Sequence, residues 1–274
     1  MPYLTLNKAQ IYYEIHGDGP ETILFSHGLL WSTKLFHKQI ALFKNHFKCV
    51  VYDHRGQGKS EVTKGGYDMD NLATDAEELI RKLELAPCHF VGLSMGGFIA
   101  MRLAARKPDL VKSISLIETT ADPEPNAFKY TLLNTIVKIF GVKAVTQKVM
   151  SIMFGKKFLT DPQRKDERKE WEKELEKNKK TIVKAVTGVI KRKGVFEELK
   201  DIECPALIMV GDLDVATVPA KSHRIKSQIK HSELVILKGA GHSSSIEEPN
   251  QVNRALKGFI LGILQEEYSN KELE

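Results

Sequence analysis

Ser94 lies at the centre of the glycine-rich segment Gly92-Leu93-Ser94-Met95-Gly96-Gly97. An apolar run precedes this segment and a helical pattern follows it, which places Ser94 on a sharp turn between a strand and a helix. Glycines two residues before and two residues after the serine remove side chains that would clash at such a turn. The pattern predicts a nucleophilic serine at a helix N-terminus, where developing negative charge is favoured.

A serine hydroxyl is a poor nucleophile without a base, so a histidine and an orienting carboxylate must follow elsewhere in the chain. His242 lies in a turn of small residues just after the apolar run 234–237. Asp212 and Asp214 follow the earlier apolar run 206–210. Residues that follow parallel strands gather at the carboxyl edge of a sheet. We therefore predict a catalytic triad made of Ser94, His242 and one of these two aspartates.

The tetrahedral intermediate of such a reaction requires hydrogen-bond donors for its negatively charged oxygen. The segment from Phe25 to Leu30 leaves a strand into a turn, which places the Leu29 amide as one donor. The amide of Met95, directly after the nucleophile, is the second predicted donor. We interpret His27, in the same turn as Leu29, as a residue that braces the loop and does not transfer protons.

Eight short apolar runs and several helical patterns must position these residues. The runs are predicted to be strands, at 3–6, 10–15, 22–26, 48–52, 89–93, 113–117, 206–210 and 234–237. From the third run onward they are apolar throughout, as is typical of strands covered on both faces. Helical patterns at 71–85 and 96–107 alternate with these runs, and a last helix spans 251–264. The alternation predicts an α/β fold with a mostly parallel central sheet and helices on both faces.

Residues 121–200, called the insert below, interrupt this alternation. Asn126 is placed to cap a helix that ends near Gly141, a second helix reaches Phe154, and Asp161-Pro162 begins another helical stretch. We predict that the insert is a helical lid spliced into a core made of residues 1–120 and 201–274. This lid is expected to fold over Ser94. The residues expected to line a substrate pocket are Leu30, Trp31, Phe128, Leu132, Met153 and Phe154.

Basic residues are concentrated in the insert. It holds 19 Lys and Arg against 11 Asp and Glu, a surplus of 8, although the whole chain has a net charge of only +6. No basic motif with interleaved aromatic residues accompanies the surplus, so we predict no nucleic-acid partner. Of the 20 residues from Asp161 to Lys180, 15 are charged. Mixed signs of this kind are typical of a solvated helix face, and we expect this stretch to face water.

Taken together, the motifs resemble those of the α/β-hydrolase superfamily, specifically its small serine esterases, enol-lactonases and haloperoxidase-like esterases. The matching segments are the His27-Gly28 turn, Asp53-His54-Arg55-Gly56-Gln57-Gly58-Lys59-Ser60, residues 92–97, Gly211-Asp212-Leu213-Asp214 with Pro219, and Gly241-His242 followed by Glu248-Pro249. The resemblance covers the core and implies an α/β-hydrolase fold. The insert does not share such motifs and therefore indicates no substrate.

The resemblance also assigns the acid of the triad. Asp214 matches the second acidic position of the superfamily's turn, so it is preferred to Asp212, whose side chain is then expected to fix that turn. Glu118 stays an alternative, because some members of the superfamily place the acid after that strand. The implied triad is therefore Ser94, Asp214 and His242.

This triad implies hydrolysis of a small-molecule carboxylic ester or lactone through an acyl-enzyme, with no metal and no other cofactor. Haloalkane dehalogenases and epoxide hydrolases of this fold carry aspartate at the position of Ser94, which argues against both. Two alternatives stay open. One is a hydrolase of carrier-protein esters or thioesters, similar to pimeloyl-carrier methyl esterases, in which the basic insert receives an acidic carrier. The other is a non-catalytic ligand receptor derived from a hydrolase.

Composition limits the cellular setting. The chain has 274 residues, 42% hydrophobic and 28% charged, which are values of globular proteins. The longest stretch free of Asp, Glu, Lys, Arg and His, Phe90 to Met101, has 12 residues and is too short to span a bilayer. No export signal is visible, and the scattered Cys49, Cys88 and Cys204 are interpreted as reduced thiols. We predict a cytoplasmic protein without stable membrane insertion.

Overall fold

Eight strands form one sheet in the computed structural model, which describes residues 2–271. The strands are β1 (Tyr3–Leu6), β2 (Ala9–His16), β3 (Glu21–Ser26), β4 (Phe47–Tyr52), β5 (Cys88–Leu93), β6 (Val111–Ile117), β7 (Ala206–Gly211) and β8 (Ser232–Leu237). Their order across the sheet is β1-β2-β4-β3-β5-β6-β7-β8. β1 and β2 are antiparallel to their neighbours, and β3 to β8 are parallel. This arrangement confirms the predicted, mostly parallel α/β sheet.

Both faces of the parallel part of the sheet are buried, which explains why its strands are apolar throughout. In β3, Leu24 belongs to one hydrophobic cluster, whereas Ile23 and Phe25 belong to another. Successive side chains of a strand point to opposite faces, so each cluster lies on one side of the sheet. Strands buried in this way need apolar residues at every position.

Helices cover both faces. They are α1 (His37–Phe43), α2 (Met69–Lys82), α3 (Met95–Arg106), α4 (Ala127–Phe140), α5 (Thr146–Met153), α6 (Lys156–Thr160), α7 (Lys165–Glu176), α8 (Val183–Ile190), α9 (Pro219–Lys226), α10 (Ser244–Glu247) and α11 (Pro249–Lys271). α2, α3 and α9 pack on one face, and α1 and α11 pack on the other. None of the helices in residues 2–271 is long and apolar enough to cross a membrane.

The helices α4 to α8 lie in the insert, between β6 and β7. α4 ends at Gly141, whose φ of +87° is a conformation that glycine adopts without strain. Asn126 precedes α4 as predicted, but its side chain makes no capping hydrogen bond. Asp161 does cap a short 3₁₀ turn by accepting the amide of Gln163, and this turn leads into α7. The turn residues of the insert therefore delimit its helices.

The charged stretch 161–180 does not simply face water, so that prediction is wrong for one side of α7. The ammonium group of Lys34, in the core, lies 2.6 Å from Glu170 and 3.0 Å from Glu174. The Lys38 ammonium lies 2.9 Å from the carboxylate of Glu167. The reason is that one face of α7 lies against the core segment that leads into α1. Acidic residues of the insert therefore attach it to the core.

All three cysteines are free thiols, and none of them is exposed. Cys49 lies in β4 and Cys88 begins β5, where each is fully buried. Burial disfavours the thiolate and raises the pKa of both thiols to about 12. They therefore contribute to the core as small apolar side chains.

Candidate active site

Ser94 occupies the turn between β5 and α3 with φ +51° and ψ −107°, a strained conformation for a residue with a side chain. The lack of space for a side chain explains the neighbouring glycines. A Cβ atom on Gly92 would lie 2.4 Å from the carbonyl carbon of Gly96, and one on Gly96 would lie 2.0 Å from the backbone carbonyl oxygen of Ser26. The Ser94 amide donates to the Ile117 carbonyl at 2.8 Å. The turn therefore holds the serine at the carboxyl edge of the sheet.

The structure brings Ser94, His242 and Asp214 together from three separate strand ends. The Nε2 atom of His242 lies 2.9 Å from the Ser94 hydroxyl oxygen. The Nδ1 atom of the same ring lies 2.9 Å from the Oδ2 atom of Asp214. Asp214 and His242 are almost fully buried, with 3% and 5% of their surfaces exposed. The three side chains thus form one continuous line of hydrogen bonds.

Several donors hold the Asp214 carboxylate in place. Its Oδ1 atom accepts the amides of Ala216 and Thr217 at 2.7 and 3.0 Å, and the Thr217 hydroxyl donates to Oδ2 at 2.7 Å. Burial alone would raise the pKa of Asp214. The charge of His242 and the hydrogen bonds from its ring and from Thr217 outweigh burial, and they hold the pKa well below its usual value. Asp214 is therefore an anion beside the imidazole.

Glu118 and Asp212, the alternative acids, have other partners. Both carboxylate oxygens of Glu118 accept the Gly211 amide, at 3.0 and 2.9 Å. Complete burial and then the charge of Asp214 raise the pKa of Glu118 well above its usual value, which favours the protonated form of this side chain. Asp212 accepts the Gly239 amide at 2.7 Å and joins the turns after β7 and β8. Neither residue hydrogen-bonds to His242 in the described part of the chain.

The turn after β3 packs directly against the turn that carries Ser94. A Cβ atom on Gly28 would lie 3.5 Å from the Cβ of Ser94. The side chain of Gln57 holds the turn by accepting the Leu30 amide at 2.8 Å. Within residues 2–271, the amides of Leu29 and Met95 donate no hydrogen bond to another protein group. Neither amide is therefore occupied by the protein, as a donor to a substrate oxygen requires.

His27 is fully buried behind this turn. Its Nε2 atom accepts the His54 amide at 3.1 Å, which leaves the proton on Nδ1, the atom 2.7 Å from the Gly28 carbonyl oxygen. Burial lowers the pKa of His27 to about 4, so the ring is neutral. It makes no hydrogen bond to Ser94 in the described residues. This environment agrees with the interpretation of His27 as a brace.

Glu247, in α10, was missed by the sequence analysis. Its Oε1 atom accepts the amides of Gly241 and Ser243, at 3.0 and 3.1 Å, which are the two residues that flank His242. Its Oε2 atom accepts the amide of Gly155, in the insert, at 2.8 Å. Burial raises the pKa of Glu247 to about 7, and the three amides oppose this rise. One carboxylate thus joins the His242 loop to the insert.

Arg164, in the charged stretch of the insert, also binds this loop. Its guanidinium donates to the Glu247 carbonyl at 2.6 Å and to the Ile246 carbonyl at 3.1 Å. These bonds explain why Arg164 does not face water as the sequence pattern suggested. The insert is therefore attached to the loop of the histidine through side-chain and backbone contacts.

A cavity of about 160 Å³ opens beside Ser94 and His242. Its walls are mostly apolar and come largely from the insert. The apolar residues that line it are Leu29, Leu30, Phe98, Leu133, Val137, Val142, Val145, Val149, Ile152, Met153, Ile182, Val186, Val189, Ile190 and Ala216. A few polar residues complete the walls, namely Glu124, Tyr130, Asn134, Arg192 and Thr217. Ser94 therefore faces an apolar chamber with a small polar part.

Two of the six predicted pocket residues, Leu30 and Met153, line this cavity. The predictions for Phe128 and Leu132 are wrong, because these side chains lie on the outer face of α4 and are 87% and 58% exposed. α4 carries apolar residues on both its faces, and the face toward the cavity includes Leu133. The sequence pattern of this helix therefore could not distinguish the two faces.

Trp31 and Phe154, the other two predicted pocket residues, lie in the hydrophobic core instead. Their exposed fractions are 3% and 2%, and their ring centroids are 5.9 Å apart in an edge-to-face contact. Phe154 also stacks on Phe158, with the centroids 4.6 Å apart. These rings fill the junction between the insert and the core, which is why they do not reach the cavity.

Comparisons with known proteins agree with this geometry. The model of the alpha/beta hydrolase fold family matches residues 21–249. RutD of Agrobacterium fabrum, to which carbamate hydrolase activity is ascribed, is 28% identical over 259 residues, or 92% of this chain and 98% of that protein. The 3-oxoadipate enol-lactonase 2 of Acinetobacter baylyi is 26% identical over 258 residues, or 94% of this chain and 95% of that protein. The crystal structure of the enol-lactonase of Burkholderia xenovorans superimposes with a TM-score of 0.88 at 25% identity, over 95% of this chain and 100% of that one. The chain therefore belongs to the α/β hydrolase fold family and is a hydrolase.

Proposed function

We propose that this hydrolase cleaves carboxylic esters or lactones of small molecules, with Ser94 as the nucleophile of an acyl-enzyme mechanism. The observation that supports this proposal most strongly is the line of hydrogen bonds from Ser94 through His242 to Asp214. This line ends at the cavity, so a bound carbonyl group lies next to the serine hydroxyl.

In the acylation step, the Nε2 atom of His242 takes the proton of the Ser94 hydroxyl as the oxygen attacks the carbonyl carbon. The carbonyl oxygen becomes negatively charged and accepts hydrogen bonds from the free amides of Leu29 and Met95. When the tetrahedral intermediate collapses, the histidine gives the proton to the departing alkoxide. With an ester, an alcohol leaves. With a lactone, the released hydroxyl group stays attached to the enzyme, because it is part of the acyl group bound to Ser94.

In the deacylation step, His242 takes a proton from a water molecule that attacks the acyl carbon. The intermediate then collapses and the proton passes to the Ser94 oxygen, which releases a carboxylic acid and restores the enzyme. Asp214 stays ionised throughout and keeps the Nδ1 proton of the ring directed toward itself. Its charge stabilises the imidazolium that forms in both steps.

The walls of the cavity indicate which substrates fit. A dry cavity of about 150 Å³ in another protein takes a benzene ring, so a cavity of this order admits a short or single-ring apolar group. We propose that the insert, residues 121–200, acts as a lid, since it supplies most of these walls. The relatives named as enol-lactonases and as carbamate hydrolases make lactones and carbamate esters necessary members of any substrate panel.

Turnover of such a panel tests the proposal. The panel contains p-nitrophenyl esters from acetate to palmitate, simple lactones, acyl thioesters and a carbamate ester. We expect hydrolysis of short esters or lactones, and a loss of about 10⁴-fold or more in Ser94→Ala, whose circular dichroism should match that of the wild type. A preference for thioesters would favour the carrier-protein alternative, and no turnover of any compound would favour the receptor. Retained turnover in Ser94→Ala would contradict the serine mechanism.

A further inference from the structure

Three polar side chains, Glu124, Tyr130 and Arg192, line the same cavity as Ser94, and we call them the polar corner. Arg192 follows α8, and its side chain is only 4% exposed. A buried guanidinium in an otherwise apolar chamber is costly unless its donors are used. The partners of this arginine therefore show what the polar corner can bind.

Two of the three guanidinium nitrogens of Arg192 are fully engaged. Its Nη1 atom donates to Glu124 at 2.8 Å and to the Val189 carbonyl at 3.0 Å, and its Nε atom donates to the Asp122 carbonyl at 3.0 Å. The Nη2 atom has no hydrogen-bond partner within residues 2–271. It is not one of the fully buried polar atoms that lack a partner, so a ligand can reach it. Arg192 is one of the residues that line the cavity, so this free donor lies in its wall.

Tyr130 supplies a second free donor. This residue of α4 lines the cavity, and its hydroxyl has no hydrogen-bond partner in the described part of the chain. Each carboxylate oxygen of Glu124 already accepts one hydrogen bond, from Arg192 and from the Asn126 amide at 2.9 Å. Within the polar corner, the groups without any partner are therefore the two donors. Asn134, which also lines the cavity, adds one buried acceptor oxygen without a partner in the described residues.

The charges around the polar corner are paired. Asp122 lies 2.7 Å from the Lys221 ammonium and 3.1 Å from the Arg224 guanidinium, and Arg192 pairs with Glu124 at 2.8 Å. A hydrogen bond from the free guanidinium donor of Arg192 to an acceptor oxygen is charge-assisted, which makes it stronger than one between neutral groups.

The polar corner is close to the nucleophile. The guanidinium carbon of Arg192 lies 4.6 Å from the ring centroid of Phe98. Phe98 stands one helical turn after Ser94 in α3, and its amide donates to the Ser94 carbonyl at 3.1 Å. Arg192 thus contacts the helix that begins after Ser94, and both residues line the same cavity.

We propose that Arg192 and Tyr130 bind an acceptor oxygen at the end of the acyl chain remote from the scissile carbonyl. The enzyme is then a hydrolase of esters or lactones whose acyl group carries a distal carbonyl or carboxylate oxygen. This inference rests on the proposed serine hydrolase function. The shared chemistry of the two substrate types is an oxygen acceptor at the polar corner.

Three series of p-nitrophenyl esters with acyl chains of four, six and eight carbons test the proposal. One series is unsubstituted, one ends in a methyl ketone, and one ends in a carboxylate. We expect kcat/KM of the wild type for the best oxygenated ester to exceed that for the unsubstituted ester of equal length by about 10-fold or more. The stronger of the two oxygenated series identifies the acceptor as neutral or charged.

Variants assign this preference to the polar corner. Tyr130→Phe removes one donor and leaves the buried ion pair intact, and it should reduce the preference about 3- to 10-fold. The double variant Arg192→Gln with Glu124→Gln leaves no unpaired buried charge and should reduce the preference about 10- to 100-fold. Lys191→Gln, which removes the exposed neighbouring cation, is the matched control and should keep the wild-type preference.

The outcomes separate this inference from the proposed function. Ser94-dependent hydrolysis of the unsubstituted esters, without any preference for an oxygenated series, would overturn the inference alone. Equal losses on both kinds of ester in Tyr130→Phe and in the double variant would overturn it too. If the wild type hydrolysed no ester of any series, the proposed function would fail and the inference with it.

Discussion

The carboxyl edge of the core and the helical insert contribute to the same site in different ways. At the core edge, each reacting group is held by several contacts, as in Asp214, which accepts two amides and two side-chain hydrogen bonds. The insert supplies mainly apolar walls, whose positions follow from which side of a helix faces inward. Under the proposed function, the core therefore supplies the chemistry and the insert selects the substrate.

The two regions meet at Glu247. Its carboxylate binds the amides on either side of His242 and the amide of Gly155 between α5 and α6. Glu247 therefore forms a junction between the insert and the histidine loop.

Replacing the acid of the triad gives the largest effect. Asp214→Asn keeps the shape of the side chain but disfavours the His242 tautomer that activates Ser94, and it should lower kcat about 10⁴-fold. Glu118→Gln is the matched control, because Glu118 contacts Asp214 and not His242, and its loss should be far smaller. Steady-state kinetics of both variants with one short ester measures this difference. A greater loss in Glu118→Gln would show that Glu118, after β6, is the acid, and not Asp214, after β7.

Changing the junction gives a smaller effect. Glu247→Gln replaces one acceptor oxygen with an NH2 group that cannot accept, so at least one of the three backbone amides loses its partner. We expect kcat to fall about 10- to 100-fold with KM little changed, since the histidine loop moves and the cavity walls stay.

The neighbouring Glu248→Gln serves as the control for Glu247→Gln, because Glu248 pairs with Lys157 at the surface. It should retain nearly the wild-type kcat. If Glu247→Gln raised KM and kept kcat, Glu247 would position the insert and not the histidine.

A larger side chain on the part of the insert that lines the cavity should change only the preference among acyl chain lengths. Leu133 lines the cavity, whereas the adjacent Leu132 is 58% exposed on the outer face of α4. Leu133→Trp should lower kcat/KM for an octanoate ester about 10-fold more than for an acetate ester, because a larger side chain shortens the acyl site. Leu132→Trp should change neither value more than about 2-fold. Equal effects of the two variants would mean that α4 does not form the wall.

Acid sensitivity should be a property of the core, because His27, His54 and His89 are buried there and the insert contains no histidine. Burial lowers the pKa of His89 to about 4, whereas the unfolded chain takes up this proton near pH 6.5. Unfolding therefore binds a proton between these values, and the stability falls as the pH falls through this window. At pH 5, the neutral His89 lowers the free energy of unfolding by about 2 kcal/mol relative to neutral pH.

Urea unfolding of His89→Gln at pH 7.5 and pH 5 measures this contribution. The variant should lose less stability on acidification than the wild type does. His231→Gln, at an exposed position, should lose as much as the wild type. An unchanged acid loss in His89→Gln would show that His89 is not held neutral by burial.

The sheet and the turn that carries Ser94 were predictable from the sequence because both depend on local patterns. β3, predicted at 22–26, spans Glu21–Ser26, since a strand buried on both faces is apolar at every position. The turn at Ser94 was recognisable because the spacing of Gly92 and Gly96 reflects contacts that leave no room for a Cβ atom.

The cavity and the junction were not predictable in this way. α4 is apolar on both faces, so only its packing shows that Leu133 faces inward and Phe128 outward. Glu247 binds an amide at Gly155, 92 residues earlier in the chain, and no local pattern reports such a contact. The resemblance to known hydrolases drew attention to the neighbouring Glu248-Pro249 and not to the buried carboxylate.

The most direct test of the account is the site of covalent capture by a phosphonate ester, which forms a stable adduct with an activated serine. Intact mass spectrometry should show one adduct per chain, and peptide mapping should place it on Ser94. Asp214→Asn should react far more slowly, because its histidine no longer activates the hydroxyl. An adduct on another residue, or undiminished ester hydrolysis by the labelled protein, would contradict the assignment of Ser94 as the nucleophile.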